Sequence, residues 1–183
     1  MSAEHTRPER RLAINAAELE AAFEDASDML HYYLDLETGQ VVAITDETRD
    51  ELNAIYEVLD EQWDDDAFAA ALQQRAHPDW MRAVLNEAHQ VEQGYGASYI
   101  AIPKADSRES YRVMEDFIET VADRRFQAQL AYAIQGRGAF RRFKDALFTH
   151  PDERERWFAF NTARVRERVL AWLEDEGITA ILE

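Results

Sequence analysis

The sequence predicts an α+β fold, a single and mostly helical domain with a small antiparallel β-sheet built on a hairpin. Three observations carry that reading. Apolar residues recur at intervals of three and four along most of the 183 residues. The period drops to two between Leu30 and Ile44, and glycine or proline punctuates the ends of the periodic stretches.

Residues 1–12 are expected to form a frayed N-terminus, the first eleven being polar, which leaves 13–183 as one α+β domain. From Ala13 onward, Ala16, Leu19, Ala22, Phe23 and Ala26 follow helical spacing. Leu30, Tyr32, Leu34 and Leu36 then alternate with His31, Tyr33, Asp35 and Glu37, and Val41, Val42 and Ile44 resume the apolar run. Between them Glu37-Thr38-Gly39-Gln40 reads as a tight turn, with glycine supplying the positive φ it needs.

Thr48 and Glu51 stand three apart before Leu52, Ile55, Tyr56 and Leu59, a capping-box pattern that predicts a helix reaching Trp63. After an acidic break, a short helix is expected over Phe68 to Gln74. Pro78 opens the next at a position that tolerates its missing N–H, with Met81, Val84, Leu85, Ala88 and Val91 as the buried stripe. Ser98 to Pro103 reads as a third strand. Ser107 is the expected N-cap of a helix that buries Tyr111, Met114, Phe117, Ile118 and Val121 and whose pattern continues to Gly136. A short helix from Gly138 to Phe148 follows. Pro151 starts the last helix, Gly177 ends it as a C′ residue, and Ile178 to Leu182 is apolar and β-branched enough to close the fold as a strand.

Composition bounds the chemistry. Net charge is −17, from 37 acidic and 20 basic residues, and there is no cysteine. The absence of thiols excludes disulfides, thiolate nucleophiles and cysteine-based zinc or iron–sulfur sites. The start carries no signal-peptide layout and no apolar run approaches a membrane span, so a cytoplasmic protein without membrane contact is expected. Two lysines against eighteen arginines, on an acid-rich surface, suit a high-salt cytoplasm, although GC-rich coding produces the same bias. Self-repulsion of the excess acids predicts a thermal midpoint that climbs between low and moderate NaCl. Thermal denaturation at two salt concentrations checks it, and a flat or falling midpoint would show that the acids are compensated locally.

No catalytic motif is present. The five histidines are scattered, and His89 with Glu92 is the nearest approach to a ligand pair, too common on a solvated helix to predict a metal. The serines lack a nucleophile-elbow context, and the glycines near Gly94 do not follow the dinucleotide pattern. No catalytic residue, metal or cofactor is therefore assigned.

Positive charge gathers between Arg124 and Arg168, where eleven Arg or Lys stand against five Asp or Glu, a local +6 in a chain whose remainder carries −23. At its centre lies Gln135-Gly136-Arg137-Gly138-Ala139-Phe140-Arg141-Arg142-Phe143-Lys144-Asp145. A glycine-flanked helix start bordered by arginines is a means of holding an anion. Arg137, Gly138, Arg141, Arg142 and Lys144 are the candidate anion- or partner-binding residues. The competing reading is that the glycines separate two helices while the arginines pair with the chain's own carboxylates. Likewise Phe140, Phe143, Phe148, Trp157, Phe158 and Phe160 suit either a core or a stacking platform for single-stranded nucleic acid.

The hairpin Tyr32-Tyr33-Leu34-Asp35-Leu36-Glu37-Thr38-Gly39-Gln40-Val41-Val42, the Gly136 to Asp145 run, and Arg156-Trp157-Phe158-Ala159-Phe160 with the Trp172-Leu173 helix and Gly177-Ile178 resemble uncharacterised protein family one-five-eight. The resemblance runs from about Ala26 onward. It implies a small bacterial protein with no assigned activity, and it carries no catalytic residue over. The favoured function is a binding or interaction module whose basic C-terminal face meets an acidic protein partner or a small anion. The alternatives are a nucleic-acid-associated regulator and an enzyme using dispersed carboxylates and arginines.

Overall fold

The computed structural model describes residues 10–59 and 63–182. Among them, eight helices and five strands follow in the order β1 (Arg10–Ile14), α1 (Ala16–Glu24), β2 (Leu30–Asp35), β3 (Val41–Thr45), α2 (Asp46–Tyr56), α3 (Asp65–Gln74), α4 (Asp79–Gly94), β4 (Tyr99–Ala101), α5 (Ser107–Glu119), α6 (Arg124–Ala133), α7 (Ala139–Phe148), α8 (Pro151–Asp175) and β5 (Ile178–Leu182). The fold is α+β and mostly helical, with its antiparallel sheet built on the hairpin. The chain divides into two compact units, one containing Ala16–Ala26 and Lys104–Thr179, the other containing Arg10–Asn15, most of Ser27–Pro103 and the chain from Ala180.

In the sheet-bearing unit, β2 pairs antiparallel with β3, from Leu30 opposite Thr45 to Leu34 opposite Val41. On its other edge β2 pairs with β4, with Leu34 opposite Ile100, so the order is β3-β2-β4. Gly39 adopts φ +77° in the turn, and a Cβ there would overlap the Ala13 carbonyl oxygen. Both its conformation and its surroundings require glycine. The core of this unit brings Val42 and Ile44 together with Leu52, Ile55, Phe68, Leu72, Leu85 and Val91 from α2, α3 and α4.

Several sequence expectations move here. Arg10–Ile14 is a strand with Leu12 and Ile14 buried, and it pairs with β5 in a two-stranded sheet; the helix expected from Ala13 starts at Ala16. The rest of the expected frayed segment, residues 1–9, lies outside the described residues. The cap of α2 is Thr45, whose hydroxyl accepts from the Thr48 N–H, rather than Thr48 itself. That helix ends at Tyr56, and the stretch expected to carry it to Trp63 includes residues 60–62, outside the described ones. Pro78 is the N-cap of α4 and not its first helical residue.

The helical unit holds α1 and α5 to α8. Its core gathers Met114, Phe117 and Ile118 from α5, Phe126 and Leu130 from α6, Phe143 and Leu147 from α7, and Trp157 from α8. The stretch read as one long helix up to Gly136 is two. Asp123 caps α6 by accepting from the Arg125 and Phe126 N–H groups. Those backbone bonds, Phe126 first and Arg125 second, hold its carboxyl below the ordinary aspartate value. Asp106 likewise caps α5 through the Arg108 N–H, displacing the cap expected at Ser107. Pro151 opens α8, and Gly177 follows its C-cap at φ +70°. Among the described residues no helix is long and apolar enough to cross a membrane.

Candidate functional site

The segment singled out by its charge lies in the loop from α6 to α7 and in α7 itself. Gly136 and Gly138 take φ +72° and +77°, a left-handed backbone that explains both glycines through the sharp reversal between the two helices. Arg142 turns back over that loop. Its Nε donates to the Ala133 carbonyl at 2.9 Å, and its two Nη groups donate to the carbonyls of Arg137 and Gln135. A planar guanidinium thus satisfies the last carbonyl of α6 and two carbonyls of the loop that follows it. Arg142 acts as a structural cap through three of its five N–H donors, one from each nitrogen.

The other candidates separate. Arg141 is on the solvent side of α7, with its Nε 3.8 Å from Asp145, an exposed pair one helical turn apart. Arg137 is exposed in the loop, and Lys144 is exposed on α7; neither has an ion-pair partner among the described residues. Gly138 lines a shallow cleft of about 510 Å³ together with Gly136, Phe140 and, from α5, Arg108, Arg112 and Glu115. A second cleft of about 590 Å³ shares Ser107 and Phe140 with the first and takes in Lys144, Trp157 and Phe158. The structure therefore places Gly138 and Lys144 at neighbouring clefts, keeps Arg137 on the loop bordering the first, and assigns Arg142 to the fold.

Arg108 and Arg112 were outside the charge-rich window and were missed. They stand four apart on one face of α5, both exposed and without ion-pair partners among the described residues. Arg108 is also in the first turn of its helix, the positive end of the macrodipole, where a cation is disfavoured. Like charges at this spacing repel by a few tenths of a kcal/mol, about 0.2–0.5. On α8 most arginines are answered: Arg164 by Asp116 and Glu167, Arg166 by Glu20, Arg168 by Glu109 and Arg156 by Glu153, while Arg154 lies over the Phe148 ring. The alternative of intramolecular pairing thus describes α8 well and the α5 to α7 side poorly. The aromatic residues divide similarly. Phe143 and Trp157 are core, whereas Phe140 and Phe158 remain 40% and 59% exposed.

In the sheet-bearing unit a polar cluster surrounds the buried His89. His89 is 7% exposed and stacks on Phe68 at 3.8 Å. Its Nδ1 lies 2.8 Å from the Tyr56 hydroxyl, and its Nε2 lies 3.4 Å from Asp65 Oδ1. Burial pushes the Tyr56 phenol above its ordinary value. No hydrogen bond or ion pair joins His89 to Glu92 among the described residues. Nor, among them, do three or more histidine or carboxylate groups gather where they could hold a metal ion.

Residues 89–183 match the model of Uncharacterised protein family (UPF0158). The chain belongs to that family. The matched region contains α5 to α8 and the whole lining of the first cleft, while Phe23, Glu24 and Ala26 of the second lie outside it. The chain is 28% identical over 160 residues to a UPF0158 protein of Pseudomonas aeruginosa, an overlap covering 87% of this chain and 81% of that protein. It is 24% identical over 178 residues to a UPF0158 protein of Chlamydia trachomatis and 23% identical over 178 residues to one of Chlamydia muridarum; each overlap covers 96% of this chain and 44% of the chlamydial protein. The chain therefore spans less than half the length of those chlamydial relatives. No solved structure matches it.

Proposed function

We propose that this chain is a binding module whose helical unit presents a basic face to an anionic ligand or acidic partner, centred on Arg108, Arg112, Arg137 and Lys144. One observation carries the reading. In a chain of net charge −17, these cations lie at two adjoining clefts without ion-pair partners among the described residues, while four of the five arginines of α8, all but Arg154, are paired. Intramolecular carboxylates are abundant, so cations left unpaired beside a concavity are the ones available to a second molecule.

The test uses the full chain with Arg108→Glu and Arg112→Glu combined. Hexaglutamate and inorganic phosphate serve as probes of the acidic-peptide and small-anion forms of the ligand, followed by isothermal titration at moderate salt. The parent protein is expected to bind at least one probe, and the double variant to bind it at least tenfold more weakly. Its thermal midpoint should stay close to that of the parent, because exposed side chains without partners contribute within about 0.5 kcal/mol of stability. Absence of binding by the parent, or equal binding by the variant, would overturn the proposal. A duplex DNA titration separates the nucleic-acid reading, which requires affinity that falls steeply with salt.

A further inference from the structure

Resting on that reading, we infer that the partner is an acidic amphipathic helix, whose carboxylates meet the basic face while its apolar stripe lies in the aromatic cleft beside it. The cleft has the dimensions for a chain segment. Along α8 its lining extends from Trp157 to Arg168, about 16 Å at 1.5 Å per residue, or roughly three turns of a docked helix.

Its floor and walls are apolar where a stripe would sit. Phe23 and Met114 close the bottom, both 1% exposed, and Phe140 and Phe158 stand at the rim, open to solvent. Two large exposed aromatic side chains flanking one concavity form a binding surface, in contrast to an isolated exposed apolar residue. Aromatic anchors in a groove, read by residues at i, i+3, i+4 and i+7, are how amphipathic helices are held.

The sign of the partner's charge comes from the rim. Glu24 is engaged by Asn161, and Arg164 and Arg168 are neutralised by Asp116, Glu167 and Glu109. Lys144 is left as a rim cation without an ion-pair partner among the described residues. Past Phe140 and Ser107, which both clefts share, Arg108 and Arg112 extend the positive field, outnumbering Glu115 in the same lining. A segment lying along this line meets apolar surface on one side and unpaired positive charge on the other. An acidic helix with one apolar stripe complements both.

Three synthetic peptides test this by fluorescence anisotropy with the full chain. The first is a 15-residue helix with Leu and Phe at i, i+3, i+4 and i+7 and Glu on the remaining face; the second is a scramble of the same composition; the third is hexaglutamate. The ordered peptide is expected to bind at least tenfold more tightly than the scramble. Phe158→Asp should reduce it to the level of the scramble with the thermal midpoint unchanged, and Phe140→Ser provides the same test from α7 should the first variant fold poorly. Arg108→Glu with Arg112→Glu should weaken ordered and scrambled peptides alike. Equal binding of ordered and scrambled peptides that still depends on the arginines would overturn the amphipathic partner and leave the basic face standing. Ordered-peptide binding that neither aromatic substitution changes would overturn it equally. Indifference of all three peptides to the arginine pair would overturn both readings.

Discussion

Phe117→Ala is expected to destabilise the helical unit by about 3–5 kcal/mol, the range for truncating a fully buried phenylalanine. The ring is 1% exposed and meets three others at steep angles: Phe143 at 6.2 Å and 85°, Trp157 at 5.3 Å and 74°, and Phe160 at 5.6 Å and 61°. The Arg156 guanidinium lies 5.7 Å from its centroid. Edge-to-face pairs add about 0.5–1.5 kcal/mol each beyond area burial, so removing one ring deprives three others of a partner and leaves a cavity at the meeting point of α5, α7 and α8. At roughly 2–4 °C per kcal/mol for a chain of this size, the thermal midpoint should fall by about 6 to 20 °C, measured by circular dichroism. A fall under about 2 °C would show that the aromatic cluster is loosely packed. Trp157 belongs both to this cluster and to the cleft wall. Phe117→Ala should therefore also loosen the cleft, whereas a change at the exposed Phe158 should spare the fold.

What the sequence revealed and what it hid follow from how local the determinants are. The β2–β3 hairpin, α7 and α8 were legible because each is specified within a few residues by alternation, a positive-φ glycine or a proline at a helix start. Strand β1 was hidden because its partner β5 lies at the opposite end of the chain, so no local pattern announced the pairing. The break between α5 and α6 was masked by apolar periodicity that runs through it, since both helices face the same core from Met114 to Leu130; the available signal was Asp123, an N-cap residue directly before Arg124. At the site, composition located a concentration of charge and named Gly138 and Lys144 beside the clefts. It missed Arg108 and Arg112 because a sliding count of charge measures abundance, whereas lack of a partner is a property of space. The local charge placed Arg142 among the candidate anion-binding residues and could not show that the chain before it brings three carbonyls within its reach.

Arg142→Ala is accordingly expected to cost stability and not ligand affinity, the opposite of what a binding arginine would show. Hydrogen bonds from a charged donor contribute about 1.5–3 kcal/mol when buried. Here the Ala133 bond is partly buried and the bonds to Gln135 and Arg137 are exposed, so water recovers much of the loss and a net cost of about 1–3 kcal/mol follows. The midpoint should drop by about 2 to 12 °C. Arg142→Lys should recover little of this, because one ammonium cannot reproduce a planar fork addressing three carbonyls. Arg141→Ala, one residue earlier, removes an exposed pair with Asp145 at 3.8 Å and should shift the midpoint by less than about 2 °C. The contrast between neighbours is the decisive measurement. Equal, small shifts for both would free Arg142 for a ligand and restore it to the basic face. A large shift at Arg142 with anion affinity preserved in the folded variant would confirm that the guanidinium is occupied by the end of α6, leaving Arg108, Arg112, Arg137 and Lys144 as the cations that meet the partner.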